Sequence, residues 1–280
     1  MGLLLVVGAG CSDKRADTTA HVRPAAGPLA PAAADPVPGG FVPRAVPLAL
    51  LPDSLRQPGQ LLEAWRWLDA NGENLLVVFR AVPAAPPQPV AQVPASGPYD
   101  FRELQPAPAS GRTAQLSARQ YVRSAVRPGP SGGYSELWRL RDFVVDCPLS
   151  VTLGPQPGST AITDLDHNGR TETTLVYTLG CGSGSTTLKL IMRAGDAKYA
   201  LRGTTVRTDD PDHARRRPPP NPCCLDTLSP DHRQPGLTAG YYQTEAGFRG
   251  APPAFLRFAR QHWRKFSVEK AAPLEKPANR

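Results

Sequence analysis

Proline falls in blocks, and those blocks decide where this chain can build a core. Of the 33 prolines in 280 residues, many lie in Ala16 to Pro47, Pro83 to Pro98 and Pro211 to Cys224. Proline fixes φ and removes a backbone donor, so such stretches cannot run through a sheet interior or a helix. Ala16 to Pro47 is rich in alanine and proline with little periodicity, which is the composition of a partly extended tether. The expected organisation is a signal-like segment over 1–11, a tether over 12–47, one β-rich domain over 48–268 and a disordered tail over 269–280. Proline-rich loops interrupt that domain at 83–98 and 211–224.

Between the blocks the chain reads as antiparallel strands. LLEAWRWLDANGENLLVVFRA alternates, turns over Asp69 to Asn74 and returns through Leu75 to Arg80. Asn71-Gly72 is a strong hairpin signal because both residues tolerate positive φ. Gln115 to Arg127, Ser135 to Cys147, Leu149 to Leu153, Thr160 to Thr163, Thr173 to Leu179, Thr187 to Met192 and Lys198 to Arg202 are further strand-like runs. Pro252 to Phe266 differs. Phe255, Leu256, Phe258, Ala259, His262 and Trp263 recur at helical spacing, with proline in the first turn. The fold class is therefore α+β, mainly antiparallel sheet with a C-terminal amphipathic helix. Trp65, Trp67, Tyr134 and Trp138 are candidates to stack on sugar rings, but core packing is the commoner fate of such residues.

The N-terminal MGLLLVVGAGC ends an apolar run in small residues and a cysteine. It resembles the end of a bacterial lipoprotein signal peptide, in which the cysteine, here Cys11, is lipidated after cleavage. It departs from the pattern in having no Lys or Arg before a short apolar run. The resemblance implies a lipid-anchored protein of the cell envelope, at the outer membrane or in the periplasm. Export allows disulfides. Cys147 and Cys181 each end a strand-like run, and we expect them to pair. Cys223 and Cys224 are adjacent in a proline-rich loop, a poor arrangement for an ordinary relaxed bridge or a standard zinc site.

The stretch ITDLDHNGRTETTLVY carries the clearest chemistry. With Asp164 as position 1, side-chain oxygens fall at positions 1, 3, 5 and 9, on Asp164, Asp166, Asn168 and Glu172. Gly169 permits a sharp turn, and Arg170 at position 7 can offer its backbone carbonyl. Calcium takes six to eight hard oxygens from such loops. An EF-hand also needs a carboxylate at position 12, where Leu175 stands, so that reading fails. The flanks are strand-like, and the loop resembles the Asp-rich calcium loops that join strands in the FG-GAP repeats of integrin-type β-propellers. No second full copy exists. Asp69, Asn71 and Glu73 come nearest and read as a plain hairpin turn. Two readings of the loop stand: a structural calcium site, or a solvated turn held by Asx hydrogen bonds.

DFVVDCP, ITDLDHNG and the segment TLKLIM to KYALRG, with the strands before them and the helix APPAFLRFARQHW, resemble a family of exported bacterial proteins labelled surface-polysaccharide biosynthesis proteins. The resemblance spans roughly Leu61 to Lys265. It implies a role in assembling lipopolysaccharide or capsule, with polysaccharide or envelope assembly proteins as partners, and it carries over no catalytic residue. The net charge of +8 and pI near 9.5 suit an anionic partner. The arginines are scattered, however, and an export signal disfavours nucleic acid. Ser131 in GPSGG lies between prolines and lacks the strand–turn–helix setting of a nucleophile elbow. A non-catalytic structural or binding role is the favoured expectation. A glycan-acting hydrolase or transferase using Asp164, Asp166 or Glu172 is the alternative.

Overall fold

The computed structural model describes residues 41–81, 111–123, 133–182, 186–206, 219–233 and 237–269, all within the unit Ala34–Arg280. Cys11, the loop over 83–98, Ser131, the start of the loop over 211–224 and the tail beyond Glu269 lie outside these residues.

Two five-stranded antiparallel sheets form the body. The first runs β1 (Arg44–Ala45), β2 (Gln60–Asp69), β3 (Gly72–Ala81), β4 (Arg112–Arg123) and β5 (Ser135–Cys147), each paired with the next. In the second, β8 (Glu172–Cys181), β9 (Thr187–Ala194) and β10 (Ala197–Thr204) are neighbours. The short β6 (Val151–Pro155) and β7 (Ala161–Thr163) share the outer edge of β8, one after the other. The helix α1 spans Pro253–Phe266. The protein is thus α+β and mainly β. Among the described residues, no helix is long and apolar enough to cross a membrane.

The burial pattern explains the layering. Every residue of β3 from Asn74 to Phe79 is buried, which requires cover on both faces. Leu76 and Val78 join Trp67, Leu116, Trp138, Leu140, Leu175, Tyr177 and Ile191 in the core between the sheets. Leu75, Val77 and Phe79 pack on the other side with Leu51, Leu55, Tyr121 and Tyr134. The outer face of the second sheet is covered by α1. Phe255, Ala259, Trp263 and Phe266 recur every three or four residues and pack on Val176, Leu188, Leu190, Met192 and Leu201. Each large apolar side chain buried there contributes about 1.5–3 kcal/mol. The Trp263 indole also donates to the Gly240 carbonyl at 2.8 Å, so its one polar atom is satisfied.

The structure departs from the sequence reading in two places. The hairpin turn is shorter than Asp69 to Asn74: Asp69 pairs with Gly72, leaving only Ala70 and Asn71 as the loop. Gly72 takes a φ of 115°, which closes the turn and lets Glu73 and Asn74 extend β3. Arg44 and Ala45, assigned to the tether on composition, pair with Arg66 and Trp65 of β2, so the folded domain begins before residue 48. As expected for such aromatics, Trp67, Tyr134 and Trp138 are core residues, 2%, 6% and 5% exposed, and none is a free platform for a sugar.

Cys147 and Cys181 are bridged, with Cα atoms 5.5 Å apart. The bridge ties the end of β5 to the end of β8 and so joins the two sheets. Cys223 and Cys224 are joined to each other across a cis peptide bond.

Candidate functional site

The Asp-rich loop connects β7 to β8, two strands paired in register from Ala161 with Thr174 to Thr163 with Glu172. Such a connection must reverse direction sharply. His167 at φ 58° and Gly169 at φ 77° supply the turn. Short polar side chains then hold the backbone. Asp164 accepts the N–H groups of Asn168 and Gly169, both at 3.0 Å. Asp166 accepts from the Asn168 side chain at 2.9 Å, and the Asn168 side-chain Oδ1 accepts the Arg170 N–H at 2.7 Å.

Glu172 sits differently. As the first residue of β8 it is 1% exposed. Its carboxylate accepts the Leu165 N–H at 2.8 Å and the Thr163 hydroxyl at 3.2 Å. Burial raises its pKa, the charge of Asp166 raises it further, and these two hydrogen bonds only partly offset them, leaving it at about 7.

The structure brings Asp164, Asp166 and Glu172 together: one ligand oxygen from each lies within 4.8 Å of the others. At that spacing two ionised carboxylates repel by about 3 kcal/mol even at an effective dielectric of ~20. A proton on Glu172 or a cation among the three would relieve this. The donor set is all hard oxygen. Two oxygens on one calcium ion, each about 2.3–2.6 Å from it, lie up to roughly 5 Å apart, so the spacing fits that ion. Asn168 and the Arg170 carbonyl belong to the same loop.

The loop is also locked to the first sheet, through a contact between distant segments that periodicity does not reveal. Ala70 of the β2–β3 turn donates its N–H to the Gly169 carbonyl at 2.8 Å. The buried Asp69 carboxylate accepts the Thr171 N–H at 3.0 Å and its hydroxyl at 2.7 Å. Thr171 in turn accepts the Trp67 indole N–H at 2.8 Å. The two DxN-type turns thus dock on one another.

Beneath them lies a buried polar knot. The Gln120 carbonyl oxygen accepts from the Trp138 indole and the Thr173 hydroxyl, and its amide donates to Asn74, all at 2.8 Å. Beside the loop is a cleft of about 340 Å³, bordered by Asn71, Asn168, Arg170, Glu172 and Asp196.

No protein-family model matches the chain, and no curated protein or solved structure does either.

Proposed function

We propose that this chain is a lipid-anchored protein of the cell envelope, held through Cys11, with a non-catalytic structural or binding role in surface-polysaccharide assembly. Its Asp164–Glu172 loop binds structural calcium and thereby holds the two sheets together. The observation that carries the metal reading is the convergence of Asp164, Asp166 and Glu172 within 4.8 Å, at the point where the β2–β3 turn docks on the loop. All of these carboxylates come from one short connection whose backbone they also brace, which suits a structural ion. The envelope reading draws support from the lipoprotein-like N-terminus, and the polysaccharide role from the resemblance of the strands and the Asp-rich loop to exported proteins of that label. Calorimetric titration of the full chain with calcium tests the metal reading. One bound ion in the wild type and none in Asp166→Ala is the expected result.

A second reading, a glycan-acting hydrolase or transferase, draws on one observation: Glu172 borders a cleft and has a pKa near 7, the range of a general acid. Against it, the three ligand oxygens lie within 4.8 Å, closer than the roughly 5–9.5 Å between paired glycosidase carboxyls. Turnover of a glycan that Glu172→Gln abolishes would establish this reading in place of the first.

A further inference from the structure

The register of the second sheet sets cation against cation. Across β9 and β10, Lys189 pairs with Arg202 and Arg193 with Lys198, and between these pairs Ile191 meets Ala200. Ile191 and Ala200 face the inter-sheet core. Side chains alternate along a strand, so all four cations project from that same face. Like charges directly opposite one another weaken a ladder, and few neighbouring groups relieve them. Asp142 already accepts Lys189 at 2.5 Å and Tyr177 at 2.9 Å. Arg193 donates to two backbone carbonyls, of Asp196 at 3.2 Å and Arg139 at 3.3 Å. Its Nε is buried with no hydrogen-bond partner. The side chains of Lys198 and Arg202 are exposed and make no hydrogen bond or ion pair among the described residues. Burial, followed by the charges of Arg193, Arg202 and Lys189, holds the Lys198 ammonium below its ordinary pKa.

We propose that this basic ledge binds a linear anionic glycan through its carboxylate or phosphate groups. The two cation pairs are four residues apart along the strands, roughly 13 Å. That separation suits charges repeated along a polymer better than a single small anion. Binding single-stranded nucleic acid would also call for aromatic faces on which bases stack. The aromatic rings beside the ledge, Trp138 under the Arg193 guanidinium at 5.4 Å and Tyr177 opposite Lys189, are both buried. The proposal deepens the polysaccharide role proposed above and rests on it.

The test uses the full chain, with polygalacturonate and polyglycerol phosphate as probes and neutral dextran and duplex DNA as comparators. Affinity is measured at low and high salt. The expected result is binding of at least one polyanion that weakens with salt, and a loss of about tenfold or more in Lys198→Ala/Arg202→Ala. The melting temperature of that variant should not fall, because it removes repulsion. Arg249→Ala/Arg257→Ala changes the net charge equally at exposed sites elsewhere and should leave affinity unchanged. Binding of neither polyanion, equal binding of dextran, or equal losses in the two double variants would overturn the proposal. DNA binding that is tighter than glycan binding and is lost in the ledge variant would overturn the glycan assignment. Calcium-dependent stability should be untouched in the ledge variant. Failure of the metal reading and failure of the ledge therefore show in separate measurements.

Discussion

The carboxylate of Asp69 accepts two hydrogen bonds from Thr171, which lies 102 residues further along the chain. Through this contact the turn of one sheet holds the base of the Asp-rich loop in the other. Both partners are buried, and the carboxylate also accepts the Asn71 N–H at 2.8 Å, so removing it leaves two backbone N–H groups and a hydroxyl without this acceptor. Asp69→Ala should therefore cost about 2–4 kcal/mol in chemical unfolding. Asp69→Asn keeps one acceptor oxygen and should cost less. If calcium sits in the loop, Asp69→Ala should also weaken its binding, although Asp69 is not among the proposed ligands.

Gln120 is fully enclosed, and its side chain satisfies Trp138, Thr173 and Asn74 at once. A half-satisfied buried network is worse than an apolar one. Gln120→Met preserves most of the volume but strands three polar groups. We expect about 2–4 kcal/mol of destabilisation. A cost below 0.5 kcal/mol, read by denaturant titration, would show that the knot is dispensable.

The Cys147–Cys181 bridge closes a loop with a sequence separation of 34. On the loop-entropy model this stabilises the fold by about 4 kcal/mol. Cys147→Ala/Cys181→Ala should show that loss by denaturant titration, with thiol counting and mass mapping to confirm the bridge in the wild type.

Much of the fold was legible because its signals are local. β5 runs over the predicted Ser135–Cys147, and α1 starts one residue inside its predicted range. Aromatic and β-branched alternation, helical spacing and a proline start each report on neighbouring residues. The clustering of Asp164, Asp166 and Glu172 was legible for the same reason, since the three lie close together in sequence on either side of one turn. The role of Asp69 was not. Its hairpin looked like a plain turn because the partner, Thr171, is distant in sequence and brought near only by packing of the two sheets. The start of the domain was misplaced for a related reason: Arg44 and Ala45 have tether-like neighbours and become a strand only by pairing with β2. The ledge was equally hidden, because the opposition of Lys198 and Arg193 depends on strand register.

His262 gives the stability a pH dependence. It stacks on Phe258 and meets Phe266 at a tilt, with ring centroids 4.9 and 4.7 Å away, and its Nε2 is bonded to the Ser159 carbonyl at 2.5 Å. Burial lowers its pKa, the bond to Ser159 partly opposes this, and Lys265 lowers it further. The unfolded histidine then binds a proton more readily than the folded one. Its contribution is fully present above about pH 6.5 and is lost as pH falls below that value toward the folded pKa. The change in unfolding free energy from pH 5.5 to pH 7.5 should be less positive in His262→Gln than in the wild type, because the opposing titration of Glu172, whose pKa is raised to about 7, is common to both.

The most direct test of the central claim is thermal unfolding of the full chain in calcium and in chelator, with Asp166→Ala alongside. Calcium at 100 times its dissociation constant should stabilise the wild type by about 2.7 kcal/mol, which raises the melting temperature by several degrees, and it should leave Asp166→Ala unchanged. Identical melting of the wild type in calcium and in chelator would contradict the account and leave the loop as a turn braced by its own hydrogen bonds.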